Sequence, residues 1–230
     1  MPTQGPEAYE DDAVFDAPRR PDSTALTVVN RLEAERPFFL KAQCMHCDHP
    51  ACASSCIVGA FTKEESGAVV WDTSKCIGCR YCIVACPFQV PAFEWGKALE
   101  PRIMKCDFCA PRQRDGELPA CVERCPVEAL TFGPRDELLR VAHERIKRSP
   151  GKYNPRVYGE LEVGGTSWMY LSARELAGEA LPKLGTRPAP GVSESIQHGI
   201  FAYFVPPVAL YSLLGFLMWD AKNGPREGGE

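Results

Sequence analysis

A long apolar segment near the carboxyl end is the clearest hydrophobic feature of the chain. Residues 195–219 contain no Asp, Glu, Lys or Arg, and 21 residues from Gly199 to Trp219 form its apolar centre. A helix of that length spans about 30 Å, the thickness of a bilayer core. Trp219 stands where an interfacial anchor belongs, and Pro206–Pro207 predict a kink. We predict one transmembrane anchor helix over 195–219, with a buried core helix as the alternative.

The apolar pattern elsewhere predicts shorter elements. Apolar residues at helical spacing predict a helix over 135–148. A short strand is expected at 25–29 within an extended stretch. Turn residues Gly164–Gly165 predict a hairpin that joins 157–163 to 167–171. The apolar positions of the helix are Leu138, Leu139, Val141, Ala142 and Ile146.

The composition is that of a folded, mildly acidic protein. The chain has 230 residues, of which 45% are hydrophobic and 24% charged, and its formal net charge is −4. This balance supports a folded core rather than wholesale disorder. No basic stripe indicates nucleic-acid binding. Residues 1–10 show no secretory signal, and Arg19–Arg20 lack the apolar stretch that an export signal needs.

Twelve cysteines stand out against this composition, and their spacing forms three runs. The first and third runs begin with C-x2-C and place Pro–Ala before the third cysteine, so the sequence contains an internal repeat. The middle run is C-x2-C-x2-C-x3-C-P. The first run comprises Cys44, Cys47, Cys52 and Cys56, the middle run Cys76, Cys79, Cys82 and Cys86, and the third run Cys106, Cys109, Cys121 and Cys125.

The middle run has the spacing of bacterial ferredoxins, in which three cysteines hold one 4Fe–4S cluster and the fourth reaches another. Two-residue gaps wrap a tight loop around a cluster and turn backbone N–H groups toward its sulfides. A tetrahedral zinc ion would be overcrowded by this run, and disulfides between neighbouring C-x2-C pairs would close strained loops. Iron–sulfur clusters are therefore favoured. His46, inside a C-x2-C loop, is expected to tune a cluster by charge or hydrogen bonding rather than to bind metal.

Over about residues 25–220, the chain resembles the four-cluster ferredoxin-type iron–sulfur subunits of membrane-bound bacterial oxidoreductases. These subunits serve NiFe hydrogenases, formate dehydrogenases and related molybdenum enzymes. YGELEVGGT and LPKL are more similar to the hydrogenase branch. The motifs that carry the resemblance are CMHCDHPACASSC, CIGCRYCIVACPFQVP, KCDFC, PACVERCPVEAL, VYGELEVGGTSWMYL and LPKL. The resemblance implies an α+β fold, a repeated ferredoxin-like 4Fe–4S domain with a C-terminal single transmembrane helix.

The resemblance also implies a domain organisation. Residues 1–36 are expected to form an extended arm, 37–150 the ferredoxin-type 4Fe–4S domain, 151–194 a partner-docking extension, 195–219 the anchor and 220–230 a polar tail. Within the extension, residues 159–171 and 182–190 are expected to have little core of their own and to drape over a partner subunit, with a surface loop as the alternative. The clusters are expected to be shielded from water by Ile57, Val58, Ile77, Ile83, Val84 and Phe88.

By the same resemblance, the ligand sets cross between runs. Cys44, Cys47, Cys52 and Cys86 would hold the first cluster, and Cys56, Cys76, Cys79 and Cys82 the second. The family has a further four-cysteine motif upstream of these runs. The remaining four cysteines either close a third cluster by themselves or belong to two clusters that a missing motif or a second chain completes. They are Cys106, Cys109, Cys121 and Cys125.

The implied function is electron transfer without substrate chemistry of its own. The chain would relay single electrons between a catalytic subunit, most plausibly a NiFe hydrogenase, and a quinone- or haem-linked membrane subunit. A formate dehydrogenase or another molybdenum oxidoreductase is the alternative partner. The resemblance places the anchor in the inner membrane and the remaining chain in the periplasm. A zinc-stabilised, membrane-tethered interaction protein is the alternative from another class.

Overall fold

The computed structural model describes residues 12–33, 37–97, 100, 102–178 and 180–223. These residues divide into two compact units, one that ends at Ala189 and one that begins at Pro190. The first eleven residues of the predicted arm and residues 224–230 of the predicted tail lie outside the described residues. The cysteine runs all belong to the first unit.

Three small antiparallel hairpins provide the strands of the first unit. Strand β1 (Val28–Leu32) pairs with β2 (Phe38–Ala42), with Val28 opposite Ala42. Strand β3 (Phe61–Lys63) pairs with β4 (Val69–Trp71), and β5 (Ala92–Phe93) with β6 (Ile103–Met104). The mixture of small sheets and short helices confirms the coarse α+β prediction.

The strand predicted at 25–29 forms three residues later, at Val28–Leu32. Its partner β2 lies beyond residue 36, so the predicted arm contributes a strand to a hairpin that crosses this predicted boundary. The side chains of Val28 and Leu40 are buried. Burial on the paired face, rather than local propensity, sets the bounds of the strand.

Among the described residues of the cysteine runs, the chain forms four short helices. They are α1 (Ala51–Ser54), α2 (Tyr81–Ala85), α3 (Ala110–Arg114) and α4 (Ala120–Glu123). Cys52, Cys82 and Cys121 each occupy the second residue of a short helix, so the third cysteine of every run has the same local placement. The prolines of the repeat, Pro50 and Pro119, sit in extended backbone immediately before α1 and α4.

The helix predicted over 135–148 is confirmed as α5 (Arg135–Arg148). Asp136 and Glu137 lie in its first turn, and Arg145, Lys147 and Arg148 lie in its last turn. Both placements stabilise the helix, because these charges interact favourably with its dipole. Its apolar residues, among them Leu138 and Val141, line one side of a large cleft of the first unit.

The hairpin predicted around Gly164–Gly165 forms only in part. One isolated antiparallel bridge joins Tyr158 to Tyr170, and a 3-10 turn, Glu162–Gly164, takes the place of the end of the predicted first strand. The carboxylate of Glu162 is buried and accepts the backbone N–H of Gly159 at 2.6 Å and the guanidinium of Arg156 at 2.7 Å. These bonds favour a closed loop over an extended ladder.

The expectation that residues 159–171 and 182–190 have little core of their own is wrong for part of the first range, since Glu162, Val163 and Thr166 are buried. The residues that flank this range are also buried in part. Val157, Tyr158 and Leu176 are buried. Tyr158 and Leu176 share a hydrophobic cluster with Leu40 and Met45. The segment therefore packs onto the cysteine-bearing part of the first unit, and Tyr170 strengthens this by donating its hydroxyl to the carbonyl of Lys41 at 2.6 Å.

The second unit consists of α6 (Gly191–Tyr203) and α7 (Val205–Asn223). The interruption at Phe204 lies two residues before Pro206, and both Pro206 and Pro207 occupy the first turn of α7. Proline lacks the N–H that would continue the helix. Glu194–Asp220 has a mean hydropathy of 1.8 and is the one stretch of the described chain that is long and apolar enough to cross a membrane.

Candidate functional site

All twelve cysteines are free thiols in the structure. The structure therefore contains no disulfide bond between them. No three His, Cys, Asp or Glu side chains of the described residues are arranged to hold a single metal ion. The thiols instead fall into groups around shared spaces, and these groups follow from the fold.

The first group surrounds a small cavity. It is lined by four thiols, by apolar side chains that include Val69 and Phe88, and by one ammonium group, that of Lys105. Burial raises the pKa of the Cys47 thiol, and the neighbouring Cys44, Cys86 and Cys52 raise it further. The four thiols are those of Cys44, Cys47, Cys52 and Cys86, the set implied for the first cluster.

The second group lies closer to the surface. Burial raises the pKa of the Cys82 thiol to about 11, and Cys76, Cys79 and Cys56 raise it further. Cys82 is buried, whereas Cys79 is exposed. The four residues are those implied for the second cluster, so the structure also brings this crossed set together. The ligand assignment itself stays a prediction.

Three thiols of the third run share a neighbouring ammonium group, that of Lys41. Burial is the main cause that raises the pKa of the Cys109 thiol, and Cys121 contributes. The nearby thiols of Cys121, Cys106 and Cys109 all favour the charged form of the Lys41 ammonium, against the effect of burial. For Cys125, desolvation acts upward, but backbone N–H groups led by that of Ala129 lower the pKa of the thiol overall. Three thiols thus gather beside Lys41, while backbone groups dominate the surroundings of Cys125.

The first C-x2-C loop of each run has left-handed backbone at its third residue. The φ angles are 49° at His46, 69° at Gly78 and 62° at Phe108. Glycine adopts this conformation freely, whereas other residues are strained by about 1–2 kcal/mol. The rings of His46 and Phe108 stack with centroids 4.5 Å apart and an interplanar angle of 26°. Equivalent positions of the first and third runs therefore meet face to face.

The fourth cysteine of each run faces the backbone N–H four residues later. Ala60 donates to Cys56 Sγ at 3.2 Å, and Ala129 donates to Cys125 Sγ at 3.3 Å. Burial raises the pKa of the Cys86 thiol, and the N–H of Val90 is the largest opposing influence. Such N–H groups stabilise anionic sulfur and tune iron–sulfur clusters.

Four buried polar atoms have no hydrogen-bond partner within the described chain, and all four are N–H donors: Gln43 Nε2, His46 Nε2, Trp71 Nε1 and Trp168 Nε1. Trp71 packs against the core that contains Cys52 and Cys82. Buried donors normally find an acceptor. Cluster sulfides and cysteine thiolates are acceptors, so these donors and the thiol groups together fit 4Fe–4S clusters.

The predicted shielding of the clusters is only partly correct. Val58, Ile83 and Phe88 are half-buried, but Ile57, Ile77 and Val84 are 76%, 62% and 80% exposed. Tyr81 is also exposed, and these four apolar residues each lie within two residues of a cysteine of the second group, whose Cys79 is exposed. The sequence pattern showed apolar residues next to cysteines, but periodicity alone could not tell whether they faced the core.

Sequence reasoning also missed two lysines near the thiols. Lys105 is buried, and Lys41 is half-buried with its ammonium 4.6 Å from the centroid of the Trp168 ring. Lysine is seldom buried without a charged partner. The position of Lys105 directly before Cys106 was the available signal, but Lys75 directly before Cys76 carries the same signal and is exposed.

Residues 36–135 match a family model described as a 4Fe-4S dicluster domain. The chain is 35% identical over 235 residues to the hydrogenase-2 operon protein HybA of Escherichia coli O157:H7, a match that covers 90% of this chain and 71% of HybA. It is 53% identical over 186 residues to a protein of Nitratidesulfovibrio vulgaris, with 79% of this chain and 50% of that protein covered.

A third relative belongs to a different oxidoreductase. The chain is 37% identical over 166 residues to the formate dehydrogenase iron-sulfur subunit of Haemophilus influenzae. This match covers 69% of this chain and 52% of that subunit. The chain thus spans about half the length of two of these relatives and more of HybA.

Proposed function

Because the chain belongs to the family of ferredoxin-type 4Fe–4S electron-transfer subunits of oxidoreductase complexes, we propose that it relays single electrons between a NiFe hydrogenase and a quinone- or haem-linked membrane subunit. The family assignment confirms two predictions, the 4Fe–4S cofactor and the role of an electron-transfer subunit rather than a catalytic one. The observation that carries the proposal is the similarity to HybA over 71% of that protein.

The first two clusters use the crossed ligand sets of the resemblance. A bound 4Fe–4S cluster supplies a one-electron couple whose potential depends on hydrogen bonds to sulfur, charge and solvent exposure. The chain supplies the thiols, the N–H groups that face them and the apolar walls. The support is that the cavity around Cys47 and the group around Cys82 each contain all four expected thiols.

For the third run, the grouping favours ligands from elsewhere over self-closure. Cys106, Cys109 and Cys121 gather near Lys41, whereas backbone N–H groups dominate around Cys125. Cys125 would then serve a different cluster from the other three. A further polypeptide segment or a second chain would supply the missing thiols. The large cleft beside α4 and α5, about 780 Å³ in volume and lined in part by Val122 and Ala129, offers space for such a segment.

The exposed apolar patch of Ile57, Ile77, Tyr81 and Val84 marks the port for electron exchange with a partner subunit. Apolar contact there would exclude water from the second cluster, whose Cys79 is exposed. Large exposed apolar patches are typical of protein interfaces. Which partner covers this patch follows from the complex that the chain joins.

A second candidate partner is a formate dehydrogenase or a related molybdenum oxidoreductase. The similarity to the Haemophilus influenzae subunit favours it, although the match covers less of that relative than the match to HybA does. Purification of the native complex followed by assays of hydrogen and formate oxidation separates the two.

By resemblance, Glu194–Asp220 anchors the chain in the inner membrane and the first unit faces the periplasm.

The proposal is tested by iron and acid-labile sulfide per chain in anaerobically purified native complex, with EPR after reduction. About eight iron atoms in this subunit correspond to the two complete sites, and about twelve or more show that the third run also holds iron. Zinc in place of iron would refute electron transfer and support the zinc-stabilised alternative.

A further inference from the structure

Lys105 is a buried ammonium held by the backbone. Lys105 is the residue directly after β6, and it is 7% exposed. Nζ donates to the carbonyl oxygen of Val69 and, at 2.9 Å, to that of Cys106. These two backbone carbonyl groups thus fix the position of the charge.

No carboxylate of the described residues forms an ion pair with this ammonium. Two other lysines of this region are paired with carboxylates: Lys63 lies 3.4 Å from Asp48, and Lys75 lies 3.5 Å from Asp72. A buried charge that lacks a counter-ion is costly, so buried lysines are almost always paired. The question is therefore which anion faces Lys105.

The groups that face Lys105 are thiols of all three cysteine runs, which belong to two prospective clusters. Its ammonium lines the cavity of the first group together with Cys47 and Cys86. Cys52 lines the same cavity, and the hydrogen bond to the Cys106 carbonyl holds the ammonium beside the third run. Lys105 stands between two prospective clusters.

We propose that Lys105 is the shared counter-ion of the first and third clusters and raises the reduction potentials of both. A 4Fe–4S cluster with cysteine thiolate ligands is anionic and gains one further negative charge on reduction. A fixed positive charge in a low-dielectric site stabilises the reduced form more than the oxidised form. Lys105 acts through the clusters' electrostatic surroundings and is a positioning residue, not a ligand.

Lys41 provides an internal comparison. Its ammonium contacts the Trp168 ring and the amide oxygen of Gln43, and the thiols that it faces are Cys121, Cys106 and Cys109. All three belong to the third run. Lys41 should therefore influence the third cluster alone, whereas Lys105 should influence the first and the third.

The inference rests on the proposed electron-transfer function and is tested by EPR-monitored redox titration of the native complex. In Lys105→Met, the reduction equilibrium constants of the first and third clusters should each fall by about tenfold, which is 59 mV for one electron. The second cluster should keep its potential. In Lys41→Met, only the third cluster should shift. Exchange of the exposed Cys79 for serine in a separate sample identifies the EPR signal of the second cluster.

Lys75→Met is the matched control. Lys75 precedes Cys76 as Lys105 precedes Cys106, but its side chain is 58% exposed and paired with Asp72. Solvent screens such a charge, so no cluster should shift measurably. An equal shift in this variant would mean that burial is irrelevant, and would overturn the proposal.

Unchanged potentials in cluster-loaded Lys105→Met would also overturn it. If neutral variants fail to assemble clusters, Lys105→Arg decides. Cluster assembly with near-native potentials in the arginine variant alone supports the proposal, because the charge is then what the site requires. Loss of clusters in the arginine variant as well overturns it, because the site then requires the shape of lysine rather than its charge. Wild-type protein without iron would instead refute the proposed function, so the two failures are distinguishable.

Discussion

The roles of single residues near the thiols depend on burial more than on residue type. Sequence analysis left open whether His46 acts by charge or by hydrogen bonding. Burial, with Lys105, Lys63 and Lys41 nearby, holds the pKa of this imidazole well below its usual value, so the ring is neutral. Nδ1 accepts the N–H of Val69 at 2.9 Å, which leaves the proton on Nε2. His46 therefore acts as a hydrogen-bond donor and not as a cation.

The thiols themselves carry a proton-linked prediction. Burial raises the pKa of Cys52 and of Cys106 to about 12, and that of Cys82 to about 11. The folded apoprotein therefore holds these groups as thiols at neutral pH, and cluster ligands must be thiolates. Anaerobic cluster reconstitution should release protons, and its yield should rise from pH 7 to pH 8.5.

Proton release in a weakly buffered solution, measured with a pH electrode, checks this prediction. The sign follows from the raised pKa values. The contribution of these thiols to the free energy of unfolding is fully present below the ordinary thiol pKa of about 8.5. It is lost as the pH rises toward 11 to 12. Hydrosulfide also loses its proton when it becomes cluster sulfide, so the release beyond that background reports on the thiols. Release equal to this background would show that the thiolates already exist in the folded apoprotein.

At the scale of elements, the region after α5 is organised by close backbone approach rather than by strand pairing. Gly159 has φ 95°, and a Cβ there would lie 2.6 Å from Thr166 Oγ1 and 2.6 Å from the carbonyl oxygen of Trp168. The N–H of Thr166 donates to the carbonyl of Gly159 at 2.9 Å. These contacts close the loop that was expected to be a hairpin.

Gly159→Ala should lower the free energy of unfolding by about 3 kcal/mol or more, because the methyl group adds a steric clash to the left-handed strain of about 1–2 kcal/mol. Gly151→Ala is the control, since Gly151 has φ 82° but its Cβ would meet nothing within 4 Å. Urea unfolding of both variants measures the difference. Equal losses would mean that the close approach at Gly159 contributes nothing.

At the scale of the whole molecule, the boundary between the units separates two tasks. The first unit, up to Ala189, contains every cysteine, and the second contains the apolar helices α6 and α7. Removal of residues 190–230 should move the protein from the membrane fraction to the soluble fraction and leave its iron content unchanged. Fractionation and iron analysis of the truncated and full chains check this. Retention at the membrane would place the main attachment in the first unit or in a partner.

The exposed apolar patch also belongs to this scale. Val84→Glu should preserve iron content and slow electron transfer to the partner complex at least severalfold, because a charge would be buried at the interface. Phe39→Glu is the control, since Phe39 is 62% exposed but lies on β2, outside the patch. Stopped-flow reduction of the complex measures the rate. Equal slowing in both variants would contradict a port at Val84.

The sequence by itself determined the cofactor class, the helix α5 and the apolar helical segment, because cysteine spacing and hydrophobic periodicity are local properties of the chain. It also implied the crossed sets around Cys47 and Cys82 through its family resemblance. Tertiary structure decided what depends on distant neighbours: the exposure of Ile57 and Val84, the neutral state of His46 and the burial of Lys105. Lys75 and Lys105 precede cysteines in the same way, and only packing makes one a solvated ion pair and the other a buried charge.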